Sequence, residues 1–157
     1  MKPITKHLYY KSDLAPAKIR AYIHLIRPFT LLAPFFVSFF IMIASLIYTG
    51  RLDQNPDWWM TAILASLSFA LLNAASNVLN QGTDSEADAI SKPYRPVPRG
   101  LIRPDEAKAI AYVIYLLSIL GAFSIHVTFG IFVLVIMMFT ITYSLPPRIK
   151  KYLFINQ

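Results

Sequence analysis

No charged side chain interrupts residues 109–145, and His126 is the only titratable imidazole among them. As one helix rising about 1.5 Å per residue, that run would be roughly 55 Å long, against a bilayer hydrocarbon core of about 30 Å. It must therefore fold back on itself. His126, Thr128 and Gly130 mark the only plausible turn, which places a third span near 107–125 and a fourth near 129–145. Two earlier apolar runs complete the set: 29–49, ending at Gly50 with Pro34 inside it, and 58–79, opening on the aromatic pair Trp58 and Trp59. Aromatic rings of that kind favour the membrane–water boundary. The expected fold is all-α, a polytopic membrane helical bundle of about four transmembrane helices.

Only 15% of the residues are charged, where a soluble domain carries about a quarter. The charges fall between the apolar runs. Four spans put the N-terminus, residues 80–108 and the C-terminal tail on one side, which then holds every lysine and arginine except Arg51. By the excess of basic residues in cytoplasmic segments, both termini are expected in the cytoplasm. The net charge of +7 is read as topology-setting and as affinity for anionic lipid head groups, not for nucleic acid. Without cysteine there is no disulfide, thiol catalyst or iron–sulfur cluster.

Residues 1–28 form a separate region: a poorly ordered basic tail over 1–14, then an amphipathic helix lying on the membrane surface. Its apolar stripe is Ile19, Tyr22, Ile23 and Ile26, with Lys18, Arg20 and His24 off the stripe, and it stops before Pro28. The first apolar run is too long for a signal-peptide core, so no cleaved signal is read. The membrane domain covers 29–157.

The chemistry concentrates at the end of the second span. At 100° per residue, Asn73, Asn77, Asn80, Asp84 and Asp88 share an arc of roughly 80°. Asp84 and Asp88 are one turn apart and could ligate a hard cation such as Mg²⁺, which takes one or two carboxylates and completes its shell with water and phosphate. The plainer alternative is a solvated acidic helix end. Against it, like charges one turn apart weaken a helix, and amides inside a membrane are costly without a partner. Helix–helix hydrogen bonding is the competing role for Asn73 and Asn77. A stiff loop follows, with Lys92, Arg95, Arg99 and Arg103 spaced among Pro93, Pro96, Pro98 and Gly100. Topology accounts for Arg103. For Lys92, Arg95 and Arg99 the same anchoring stays open, more so for Arg99; the other role is to bind a diphosphate, for which arginine offers a bidentate fork.

The run Asn80-Gln81-Gly-Thr-Asp84-Ser-Glu-Ala-Asp88, followed by Ser91-Lys92-Pro-Tyr-Arg95-Pro-Val-Pro-Arg99-Gly100, resembles the first aspartate-rich motif of UbiA-type intramembrane prenyltransferases. That pattern reads Asn-Asp-x-x-Asp-x-x-x-Asp, then Asn-Lys-Pro-x-Arg-Pro-Ile-Pro-Ser-Gly. Arg27-Pro28 and the segment from Tyr143 to Lys150 are also similar to the family, so the resemblance covers about 20–151. It implies a Mg²⁺-dependent transferase that ionises a prenyl diphosphate in the bilayer and passes the prenyl group to a hydrophobic acceptor, aromatic or lipid. It also implies Asp84 and Asp88 as catalytic residues, Asn80, Asp84 and Asp88 as metal ligands, and Asn77, Asn80, Lys92, Arg95, Arg27 and Lys150 as substrate-binding residues. Gln81 stands where many members have the first aspartate, Ser91 where they have asparagine, and Arg99 where they have serine.

The family has roughly nine spans and a second aspartate-rich motif, whereas no acidic residue follows Glu106 here. The fold expected is thus the first half of that family's, truncated after the fourth span. Three accounts are open: a truncated gene, one half of a split enzyme with a second polypeptide supplying the C-terminal half, or a half-protein with another role. The alternative to the transferase is a non-catalytic membrane subunit or relic of one; an ion-conducting subunit is weaker, since it leaves the Lys92–Arg95 loop without a role.

Overall fold

The computed structural model describes residues 15–54 and 56–145; the basic tail over 1–14, Lys150 and the rest of the C-terminal tail lie outside the described residues. Six α-helices account for most of it: α1 (Ala15–Ile26), α2 (Leu32–Tyr48), α3 (Trp58–Thr83), α4 (Ser85–Ser91), α5 (Pro104–Ile125) and α6 (Val127–Ser144). There is no strand among the described residues. Four helices are long and apolar enough to cross a membrane, the first of them reckoned from α1 through α2.

α1 ends as Pro28 requires, one residue early, because the residue before a proline is excluded from the helical region. Arg27 instead takes a left-handed conformation (φ 58°, ψ 61°), and a 3₁₀ turn (Pro28–Leu31) leads into α2. Pro34 falls in the first turn of α2, where its missing N–H costs no intrahelical bond. The packed face of α1 differs from the expected stripe. Ala21 and Leu25 are buried, with Tyr22 and Ile26 packed beside them, whereas Ile19 and Ile23 are more than half exposed. The small Ala21 lets α1 approach the bundle, and Leu25 offers its carbonyl to a buried amide on α3.

α3 is the axis of the fold. Its buried face is built from small residues, among them Ala62, Ala65, Ser66, Ser68, Ala74 and Ala75, and Ala107, Ala111, Ser118 and Ala122 of α5 are buried opposite. Small side chains let membrane helices approach closely without relying on the hydrophobic effect. At Gly82 a Cβ would lie 3.0 Å from the Pro104 carbonyl oxygen, and Ser118 donates to the Ser68 carbonyl at 2.7 Å. The 26 residues of α3 span roughly 39 Å, longer than a hydrocarbon core of about 30 Å. With Trp58 and Trp59 at one boundary, the last turns, carrying Asn77 to Thr83, reach the opposite one.

The α5–α6 turn is a single residue. His126 adopts an extended conformation (φ −163°, ψ 142°), and its Nδ1 accepts from the Thr128 amide. Gly130 lies against the Phe123 ring, where an added Cβ would sit 2.4 Å from Cδ1. α2 has no buried residue and α6 has three, so their apolar outer faces are left for lipid tails or further helices.

Candidate functional site

The end of α3, α4 and the following loop bring most of the sequence-predicted residues to one place. The helix breaks at Asp84 (φ −103°, ψ 18°), yet the backbone ladder continues through it. The Asp84 amide donates to Asn80 O at 2.9 Å, and the Asp88 amide to Asp84 O at 2.8 Å. Asp84 and Asp88 therefore keep the one-turn spacing expected of an unbroken helix.

Asp88 is buried, and its carboxylate is closed by two cations: Arg95 Nη1 lies 2.5 Å from Oδ2 and Lys92 Nζ 3.8 Å from Oδ1. Arg95 is held in place by its loop. Its amide donates to Lys92 O and its carbonyl accepts from the Arg99 amide, while Gly100 turns back with φ 73°. Val97 and Ile102, both buried, pin the loop to the core.

The amides of the stripe have specific partners. Asn73 Nδ2 donates to the Thr30 carbonyl and Asn77 Nδ2 to Thr30 Oγ1, both at 2.9 Å, so each joins α3 to the 3₁₀ turn. Asn80 Oδ1 accepts from Ser144 Oγ at 2.7 Å, tying the stripe to the end of α6. Gln81 is 2% exposed and donates through Nε2 to the Leu25 carbonyl at 2.7 Å. A carboxylate cannot make that bond, which gives the glutamine a structural reason.

Arg27, Asn77, Asn80, Gln81, Asp84, Asp88, Lys92, Arg95 and Tyr143 line one polar cavity of about 180 Å³. Every site residue inferred from the sequence lies on its wall except Lys150, which is outside the described residues. Tyr143 was missed as a site residue; its one signal was membership of the segment similar to the family. Arg99 lies elsewhere, and Arg103 is exposed ahead of α5 with its amide on Glu106 Oε2. Arg27, Gln81 and Arg95 also line a second, larger cavity of about 770 Å³ between α1 and the 92–102 loop.

Among the described residues, no group of three His, Cys, Asp or Glu side chains is placed to cage a metal. The oxygen-bearing side chains around the small cavity are the Asp84 and Asp88 carboxylates, the amides of Asn77, Asn80 and Gln81, and the Tyr143 hydroxyl. That set fits Mg²⁺ shared with a substrate phosphate and not an all-protein cage, since Mg²⁺ keeps much of its shell for water and phosphate.

Comparison with known proteins decides the family. The model of the UbiA prenyltransferase family matches residues 37–157, well over half of the chain. The chain belongs to the UbiA prenyltransferase family. Relatives include the digeranylgeranylglyceryl phosphate synthases of Methanobrevibacter smithii, 33% identical over 104 residues, 66% of this chain and 33% of the relative. That of Methanosarcina mazei is 32% identical over 70% of this chain and 40% of its own length. That of Korarchaeum cryptofilum is 36% identical over 75% of this chain and 38% of its own length. The chain thus spans about a third to two-fifths of the length of these curated relatives. No solved structure matches. Membership agrees with the four apolar helices and makes this a multi-pass integral membrane protein.

Proposed function

We infer that this chain forms one wall of a transferase site that moves a prenyl group from a prenyl diphosphate to a lipid acceptor within the membrane. The observation that carries the reading is the convergence of Arg27, Lys92 and Arg95 with Asp84 and Asp88 on one 180 Å³ polar cavity at the end of a membrane helix. Three cations and two carboxylates suit a polyanion bound together with a divalent cation. The printed activity of the relatives, synthesis of digeranylgeranylglyceryl phosphate, favours a lipid over an aromatic acceptor.

In this reading Arg27 and Lys92 donate to the diphosphate oxygens and stabilise the charge that grows on them as the carbon–oxygen bond breaks. Arg95, held by Asp88, presents its remaining N–H groups from a fixed position. Asn77 and Tyr143 complete the polar wall. Magnesium, when bound, supplies Lewis-acid stabilisation of the leaving group, and Asp84, Asp88 and Asn80 would hold it. The apolar helices keep water from the allylic cation. The reading places both termini in the cytoplasm. The remainder of a relative-sized enzyme, on the same polypeptide or a second one, would complete the site.

One observation favours a second reading, a non-catalytic subunit or relic: Asp88 and Asn80 already have protein partners. Binding of geranylgeranyl diphosphate to the chain in lipid nanodiscs separates the two. The transferase reading expects saturable binding that needs Mg²⁺ and weakens at least tenfold in both Asp84→Asn and Asp88→Asn. Binding indifferent to Mg²⁺ and to both substitutions sinks it.

A further inference from the structure

Glu106 is the third residue of α5, where a carboxylate satisfies the amide of the residue just before the helix; its Oε2 accepts from the Arg103 amide at 3.5 Å. Capping uses that oxygen alone. Oε1 accepts from the Tyr22 hydroxyl of α1, 84 residues away in sequence, with Lys18 Nζ at 3.8 Å. The two oxygens of one side chain therefore join α1 to the end of the loop that carries Lys92, Arg95 and Arg99. Those two elements bring cations toward each other. Arg20 and Arg27 on the α1 side, and Arg95 and Arg99 on the loop side, line the 770 Å³ cavity between them, and no carboxylate lines it. Like charges facing across a hollow favour its widening. The Leu25 carbonyl fastens α1 to Gln81 of α3, and the Tyr22–Glu106 bond fastens it again about one turn earlier.

The tilt of α1 is passed on to Arg27. The Arg27 amide donates to the Ile23 carbonyl at 3.1 Å, so the chain is still on the α1 ladder where it turns left-handed. Arg27 is the only non-glycine residue with positive φ among the described residues, a conformation that persists only where its surroundings hold it. On its far side Thr30 donates to the Arg27 carbonyl and is itself bonded by Asn73 and Asn77. Held from both sides, Arg27 stands on the wall of both cavities.

We propose that Glu106 is a positioning residue for the diphosphate: through Tyr22 it fixes the tilt of α1, and so keeps Arg27 on the wall of the polar cavity with Lys92 and Arg95. The tie between α1 and the loop stands on its own geometry. Its part in binding a diphosphate rests on the proposed function.

Tyr22→Phe removes the tie and leaves the cap, whereas Glu106→Leu removes both. Geranylgeranyl diphosphate with Mg²⁺, titrated onto the chain in nanodiscs, should bind about three- to tenfold more weakly to each, the upper figure matching one ordinary hydrogen bond lost in full. Glu106→Gln, which keeps an acceptor for Tyr22, should stay within about twofold. Coupling to Arg27 is the readout that a merely structural role would not move: in an Arg27→Gln background, Tyr22→Phe should lower affinity no further. The chain has no cysteine, so nitroxide labels at Ile19→Cys on α1 and Ile90→Cys on α4, both exposed, read the tie without ligand. Double electron–electron resonance should give one narrow distance distribution with Tyr22 and Glu106 in place, broadened in Tyr22→Phe and in Glu106→Leu. An unbroadened distribution in both variants overturns the proposal. Unchanged affinity in both overturns it, and so does a loss in Tyr22→Phe that adds in full to that of Arg27→Gln. If the distances broaden as expected while the unsubstituted chain binds no geranylgeranyl diphosphate, the proposed function fails and the tie stands.

Discussion

Replacing Gln81 with glutamate keeps the shape of the side chain and removes its only donor. In the native chain Nε2 donates to the Leu25 carbonyl at 2.7 Å, across 56 residues of sequence, in a site 2% exposed. A carboxylate there would face an acceptor with an acceptor. Leaving a buried polar group unsatisfied costs about 1–3 kcal/mol, and more when the group is charged, so about 2–4 kcal/mol is expected for Gln81→Glu. Gln81→Met, which loses the same bond without adding charge, should cost about 1–2 kcal/mol on the same basis. The loss should fall on α1, because that bond is the hydrogen bond holding the Leu25 carbonyl to α3. At about 1.4 kcal/mol per factor of ten, the opening equilibrium of α1 should rise roughly 30- to 1,000-fold in Gln81→Glu. Amide hydrogen exchange over residues 21–26, measured in nanodiscs, reads that equilibrium, with the central turns of α3 as internal reference. Exchange within twofold of the native rate in Gln81→Glu would refute the claim that the glutamine is kept to dock α1.

Arg95→Met should strand the buried Asp88 with only Lys92, 3.8 Å away, and lower stability by about 3–5 kcal/mol, read as a drop in the thermal midpoint. The double substitution Arg95→Met with Asp88→Leu should recover most of that loss, because an apolar pair can replace a buried ion pair at little cost. Gly130→Ala places a Cβ 2.4 Å from the Phe123 ring and should cost about 1–3 kcal/mol, with Phe123→Leu restoring part of it in the same melt. Ser118→Ala removes the 2.7 Å donation to Ser68 O between α5 and α3, and should cost about 0.6 kcal/mol.

The spans and the polar stripe were legible in the sequence because each depends on a property that runs along the chain. A bilayer of fixed thickness converts apolar length into helix number, so the turn at His126 follows from 109–145 being too long for one crossing. The stripe Asn73 to Asp88 held its spacing for a similar reason: its backbone bonds run four residues back even across the break at Asp84. Helical periodicity needs nothing else.

Tertiary packing decided the partners. Asn73 and Asn77 meet Thr30, Asn80 meets Ser144 and Gln81 meets Leu25, over separations of 43 to 64 residues that no local period encodes. Packing also turned α1 onto Ala21 and Leu25, not onto its most apolar stripe, since the depth of approach to α3 depends on side-chain size as well as hydropathy. That rotation carries Arg20 and His24, off the stripe in the sequence, to the wall of the larger cavity. The sequence alone thus determined how many helices cross the membrane and which face of α3 carries the polar groups. Which cations meet that face, and that Arg27 and Arg95 line both cavities, came only from how the helices pack.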